Sequence, residues 1–257
     1  MPFFQVDAFT KVPFAGNPAA VCLLDAWPDD ATLRSVADEN NLSETAFAVA
    51  EDGDFGLRWF TPATEVRLCG HATLATAHVL LGRSGADRVV FRTLSGDLAV
   101  ARDGDAYRMD FPSLPVAPCD APSELAAALG AVPQACYANE HTHVAMFGSA
   151  RDIAALRPDM RAVAGLTLPY LVATAPGDDC DFVSRFFAPR VGVPEDPVTG
   201  SAHCVLAPLW AQRLGKRRLH ARQISPRGGE LTCEPAGDRV LLTGHAVTVI
   251  TGTLHLP

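Results

Sequence analysis

The chain has 257 residues, 48% of them apolar, a net charge of −8 and seven cysteines. That is enough for one large domain or two small ones, and too apolar for a disordered chain. The acidic balance, with Lys216-Arg217-Arg218 as its only basic cluster, argues against a general nucleic-acid binder. No run approaches the roughly 18 uncharged apolar residues of a membrane span. The start, Met1-Pro2-Phe3-Phe4-Gln5-Val6-Asp7, lacks a signal-peptide pattern, so a cytoplasmic location is the expectation. The cysteines show no CxxC pair, which suggests neither a disulfide scaffold nor a zinc site.

Phe3 to Phe9 alternates apolar and polar residues and predicts a strand. Val12 to Pro18, rich in Pro, Gly and Asn, predicts a tight loop in which Asn17 forms an Asx turn. Ala19 to Leu24 predicts a second strand. Asp29 to Asn40 has helical spacing, with Asp29 or Asp30 as N-cap. Glu44 stands between that helix and a strand over 45–50, flanked by Leu42, Ala46 and Phe47. Desolvation there would raise its pKa into the range useful for proton transfer, and a solvated loop carboxylate is the competing reading. Further strands are predicted over 55–60, 88–93, 98–101 and 107–111. A helix opens at Gly70 and ends near Gly82. Four prolines over 112–122 mark a linker. Beyond it come a short helix capped by Ser123, strands over 135–139, 142–147 and 168–174, a helix from Arg151, a strand over 181–187, and a helix opened by Gly200. Four strand-like stretches between 219 and 256 end the chain. The pattern is α+β with long antiparallel sheets, not a run of βαβ units.

The chain echoes itself. Glu65-Val66-Arg67-Leu68-Cys69-Gly70-His71-Ala72-Thr73 lies 130 positions (200 − 70) before Glu195-Asp196-Pro197-Val198-Thr199-Gly200-Ser201-Ala202-His203. Asp54-Phe55 with Arg58-Trp59-Phe60-Thr61-Pro62 lies 127 positions (181 − 54) before Asp181-Phe182 with Arg185-Phe186-Phe187-Ala188-Pro189. Two similar halves follow, each with a strand, a loop and a Gly-led helix. The first turn of a helix leaves N–H groups without internal partners and carries partial positive charge. A glycine there admits a ligand close to the backbone, so such a start favours a carboxylate or phosphate.

His71 lies in the first turn of its helix beside Cys69, a setting that lowers a thiol pKa. The matching position in the second half is Thr199, so a two-thiol racemase lacks its second thiol. Asp196 is read either as an acceptor for a substrate group or as a carboxylate stabilised by the helix dipole. Ser201 is read either as N-cap or as a donor to a bound carboxylate. His141 and His143 share a strand face without a third ligand, so no metal site is assigned. No Ser-His-Asp pattern, P-loop or dinucleotide fingerprint is present.

Five motifs in order, Val6-Asp7-Ala8-Phe9-Thr10, Phe14-Ala15-Gly16-Asn17-Pro18-Ala19-Ala20-Val21, Asn41-Leu42-Ser43-Glu44-Thr45-Ala46-Phe47, Cys69-Gly70-His71-Ala72-Thr73 and Glu195 to Ala202, resemble the PhzF-like isomerases of phenazine biosynthesis. These are relatives of diaminopimelate epimerase. The resemblance covers the whole chain. It implies two pseudo-symmetric halves, each a mainly antiparallel sheet wrapped around a central helix, with the active site in the cleft between. The halves would be 1–112 and 113–257, and the last strand, about 246–257, would return to the first half. The implied reaction is a cofactor-independent isomerisation of a small carboxylate-bearing substrate, in the best-known members trans-2,3-dihydro-3-hydroxyanthranilate. Carried over, Glu44 would be the general acid/base, with His71 and Asp196 catalytic beside it. Gly70, Gly200, Ser201 and, more weakly, Asn17 would bind substrate. The resemblance also implies a homodimer, no cofactor and no metal. An amino-acid epimerase using Cys69 and a non-catalytic ligand-binding protein are the alternatives.

Overall fold

In the computed structural model, which describes residues 1–256, the chain divides into a unit of Met1–Phe111 with Leu241–Pro257 and a unit of Pro112–Val240. The first unit runs β1 (Pro2–Ala8), β2 (Asn17–Leu24), α1 (Asp30–Asn40), β3 (Glu44–Glu51), β4 (Asp54–Phe60), β5 (Glu65–Val66), α2 (Gly70–Ser84), β6 (Arg88–Thr93), β7 (Gly96–Asp103) and β8 (Ala106–Pro112). The second runs β9 (Ala117–Pro118), α3 (Leu125–Leu129), β10 (Ala135–Ala138), β11 (Thr142–Met146), α4 (Ala150–Ala155), α5 (Met160–Ala164), β12 (Tyr170–Pro176), β13 (Phe182–Ala188), β14 (Val193–Asp196), α6 (Gly200–Leu214), β15 (Leu219–Gln223) and β16 (Gly229–Ala236). β17 (Arg239–Gly244) and β18 (Ala246–Thr253) close the chain, and β18 lies antiparallel to β1.

The two units repeat one pairing series. β1–β2 is antiparallel, β2–β3 parallel, β3–β4 and β4–β5 antiparallel, β4–β6 parallel and β6–β7 antiparallel. β10–β11, β11–β12, β12–β13, β13–β14, β13–β15 and β15–β16 follow the same sequence of senses. The sequence echo is therefore a structural duplication, and the class is α+β with mostly antiparallel pairs.

In each unit the glycine-led helix is the packed centre. α2 buries ten of its residues, from His71 to Leu81, and packs on β1, β2, β3, β6 and β18. It is apolar nearly all round, as a helix wrapped by strands must be. Its buried Thr73 and Thr76 hydroxyls donate to the carbonyls of Cys69 (2.6 Å) and Ala72 (2.7 Å), which hides their polarity. α6 contains Pro208. That proline has no N–H for the Cys204 carbonyl, which instead accepts from the Leu114 N–H at 3.1 Å. The carbonyl released by Pro208 thus fastens the start of the proline-rich segment.

Some expected boundaries move. The first-half helix passes through Gly82 and stops at Gly85, whose φ of 71° suits glycine. α3 begins at Leu125 after Glu124, so Ser123 is not its cap. β2 starts at Asn17 itself, which makes Asn17 a buried strand residue and not an Asx turn. Asp29 caps α1 as expected, accepting from the Thr32 N–H at 2.8 Å.

One ion pair recurs in both halves. Arg58 grips Glu65 through Nε (2.7 Å) and Nη2 (2.8 Å), and Arg185 grips Glu195 through the same atoms at the same distances. Each fork ties the penultimate strand before the central helix to the short strand that precedes it, β4 to β5 and β13 to β14. Arg185 also donates to the Ile153 and Leu156 carbonyls. Its side chain is 11% exposed, against 24% for Arg58. Arg185→Met leaves a largely buried carboxylate alone and is expected to cost about 3 kcal/mol, with Arg58→Met nearer half of that because water screens it. Urea unfolding of both variants checks the order, and equal small losses would show that the forks do not stabilise the fold.

Candidate active site

The residues singled out from the sequence gather into two clusters, one in each unit. In the first, β2 and β3 lie parallel with Ala19 opposite Glu44, which places Asn17 and Glu44 at the same end of neighbouring strands. Gly16, immediately before Asn17, has φ +66° and runs against the Ala8 carbonyl, so a side chain at this turn meets backbone at 2.2 Å. The Phe14 N–H donates to the buried Asp7 carboxylate at 2.7 Å and holds the other arm of the same loop.

His71 is the second residue of α2 and is 5% exposed. Its Nδ1 meets the Asn17 Nδ2 at 3.2 Å and the Cys69 sulfur at 3.5 Å. Its Nε2 lies 3.3 Å from Glu44 Oε2. An amide nitrogen can only donate, so Nδ1 is the bare acceptor and the ring proton sits on Nε2, facing the carboxylate. Burial pushes the His71 pKa down to about 3. The imidazole is therefore neutral at ordinary pH and brings no charge to Glu44. Glu44 itself is neither a loop residue in solvent nor sealed away, since its side chain is 16% exposed. Such a carboxylate can reach a bound molecule while a buried imidazole packs beside it.

In the second cluster the buried Asp196 ends β14 and accepts a hydrogen bond from the Thr199 hydroxyl. Gln223, 1% exposed, clamps the same turn. Its Oε1 accepts from the Thr199 N–H (2.9 Å), and its Nε2 donates to the Asp196 carbonyl (2.7 Å) and the Thr199 hydroxyl (3.2 Å). The sequence reading missed Gln223, and no local signal points to it. The 130-residue offset does predict a neighbouring tether. Ser95 donates to the Arg67 carbonyl and Ser225 to the Pro197 carbonyl, both at 2.8 Å, and both pairs are 130 positions apart. Ser201 is exposed in the first turn of α6 and is its second residue, not its N-cap, which is Thr199.

Gly70 and Gly200 each open a helix with ordinary helical backbone, and neither has positive φ. A turn conformation therefore does not require glycine at either place. Nor does either N-cap side chain, Cys69 or Thr199, cap its helix. By contrast, Asp29, Ser149 and Asp159 cap α1, α4 and α5. The two central helices keep their first-turn N–H groups away from a protein cap, which suits an anionic ligand.

Two expected alternatives separate here. His143 is buried with Nε2 on the Thr167 hydroxyl (3.0 Å), whereas the His141 side chain is 66% exposed, so the pair forms no joint site. Cys69, by contrast, joins Glu44 and His71 in a group whose ligand atoms all lie within 4.8 Å of one another.

The family model described as phenazine biosynthesis-like protein, PhzC-PhzF, matches residues 6–252. The chain belongs to the phenazine biosynthesis-like family. Within that family it is 53% identical, over all of this chain and 99% of the other, to an uncharacterised isomerase of Pseudomonas aeruginosa. A crystal structure of a PhzF-family protein from Enterococcus faecalis superposes with a TM-score of 0.95 at 42% identity, covering 99% of both chains. A probable proline racemase of Agrobacterium radiobacter shares the fold alone, with a TM-score of 0.62 at 12% identity over 100% of this chain and 93% of that one. No helix among the described residues is long and apolar enough to cross a membrane.

The buried histidines of this phenazine biosynthesis-like chain set a pH dependence. His203 donates from Nδ1 to the Thr199 carbonyl at 2.7 Å, yet burial outweighs that bond and lowers its pKa to about 4. Both His71 and His203 titrate below the ordinary value of 6.5. The unfolded chain therefore takes up protons first as pH falls. Their effect is absent above pH 6.5 and grows as pH drops toward 4, by up to about 1.4 kcal/mol per pH unit for each. Urea unfolding at pH 7, 6 and 5 is expected to show falling stability, and a flat profile would mean that the two rings are protonated in the fold.

Proposed function

We propose that the protein is a cofactor-independent isomerase that moves a proton on a small carboxylate-bearing substrate, with Glu44 as the acid/base group. The observation that carries this reading is Glu44 held 3.3 Å from a neutral, buried His71 at the start of an uncapped helix. The carboxylate is the base. It accepts a proton from a substrate carbon and returns it to another carbon of the same conjugated system, so charge and protons balance without a second reactant. The His71 N–H stabilises the ionised form before transfer and withdraws no proton of its own. Asp196, held by Thr199 and Gln223, is an acceptor for a substrate amine or hydroxyl. Each helix start, at Gly70 in one unit and at Gly200 with the Ser201 hydroxyl in the other, offers N–H donors suited to a carboxylate.

The name of the Pseudomonas relative, an isomerase, and the family itself support the class of reaction. Isomerisation of trans-2,3-dihydro-3-hydroxyanthranilate is the first reaction to test. The competing reading, an epimerase using Cys69 as base, draws on the Cys69 sulfur beside His71. Thr199 at the matching position supplies no partner thiol for it.

Glu44→Gln is expected to lower kcat by about 10²–10⁴-fold with the fold retained. Ser201→Ala is expected to act mainly on KM. Proton NMR in deuterated water follows both conversion and deuterium entry at carbon. Full turnover in Glu44→Gln would overturn the assignment of the base, and a dead Cys69→Ala with active Glu44→Gln would favour the epimerase.

A further inference from the structure

Cys69 has no part in the proton transfer just described, yet it is buried against the two side chains that carry it. Its sulfur is 3.5 Å from His71 Nδ1, and Glu44 Oε2 is 3.3 Å from His71 Nε2. Thiolate, imidazole and carboxylate are the three ligand types of zinc-class ions. Bond lengths near 2.0 Å to N or O and 2.3 Å to S put the ligand atoms of a tetrahedral ion about 3.3–3.6 Å apart. Glu44 and His71 already stand at that separation. All three ligand atoms lie within 4.8 Å of one another, so side-chain movement alone brings the sulfur to the ion. Three protein ligands leave the fourth position open. Among the described residues this is the one group of three or more His, Cys, Asp or Glu side chains placed to hold an ion.

We propose that Glu44, Cys69 and His71 form a binding site for a thiophilic divalent cation of the zinc class, and that Asn17 decides how tightly it binds. A cation taken up there occupies Glu44 and His71 together and so blocks proton transfer. That inhibitory consequence rests on the proposed function, whereas binding itself does not.

The role of Asn17 follows from the imidazole proton. To bind a metal, Nε2 must give up its hydrogen, and the ring must then carry its proton on Nδ1. Asn17 now presents its NH₂ to Nδ1 at 3.2 Å. Two donors would face one another, so the amide must turn and offer its oxygen. In its present orientation Asn17 holds the ring in the tautomer that serves Glu44 and opposes the cation. Metal-bound histidines commonly donate their second nitrogen to a carboxylate, and losing or gaining that outer partner changes affinity about 10–100-fold. Asn17→Asp supplies such an acceptor without any amide turn. Binding also releases the Cys69 thiol proton, since the thiolate is the ligand.

The test is a cobalt(II) titration of the full, reduced chain, carried in a Cys119→Ser background because Cys119 is exposed. Cobalt reports on a sulfur ligand through its thiolate-to-metal charge-transfer band. The expected result is a saturable band that is lost in Cys69→Ser and appears at ten-fold or more lower cobalt in Asn17→Asp. Circular dichroism establishes that each variant is folded. A folded Asn17→Asp protein with no band, or a band that survives Cys69→Ser, overturns the site. Zinc is then added to the deuterium-exchange reaction, where loss of exchange in step with occupancy is expected. If the protein exchanges no protons with any carboxylate tried, the cobalt band still decides the site, and only the isomerase reading fails.

Discussion

The helix-start part of each candidate cluster hangs from the Arg–Glu fork that precedes each central helix. Two parallel N–H···O bonds per fork fix both distance and plane, which a single lysine contact would not. Glu65 and Glu195 stand only a few residues before Gly70 and Gly200, so the fork sets where the helix begins and where its first N–H groups aim. The Ser95 and Ser225 hydroxyls fasten the intervening loops to the same frame. A site built from helix-start donors works only if those donors are held to within a fraction of an ångström of the ligand. The forks are placed to provide that constraint from largely buried positions, where breaking a charge pair costs more than it does at the surface.

On this shared scaffold the two halves have diverged in chemistry. The helix residue after the glycine is His71 in one and Ser201 in the other, and the N-cap is Cys69 in one and Thr199 in the other. Asp196 stands where the first half has Val66. Glu44 begins β3, whereas the equivalent strand, β12, begins with Tyr170. The proposed acid/base pair thus belongs to the first half alone. The second half supplies a buried acceptor made rigid by Thr199 and Gln223. Duplication gave two anion-seeking helix starts, and substitution gave each a different neighbour.

The neutrality of His71 is the point where packing turns into chemistry. A histidine in water would share its proton with Glu44 near neutral pH and weaken it as a base. Burial removes the charged form of the ring, and the Asn17 amide selects which nitrogen keeps the hydrogen. The same three side chains, with Cys69, would read as a cation site if that hydrogen moved. Which chemistry they support depends on a single amide orientation.

The sequence alone determined the α+β class, the duplication and the two glycine-led helices. These are written in local spacing and in a fixed offset, both of which survive without knowledge of what touches what. The tertiary structure decided the rest. It moved Asn17 out of a turn and into the β2 strand beside His71, 54 positions away. It brought Gln223 to the Asp196 turn, 24 positions from Thr199. It also showed that neither glycine is needed for a turn. The physical reason is common to all three. Hydrogen-bond partnership and desolvation are set by neighbours distant in sequence, and a linear pattern carries no distance.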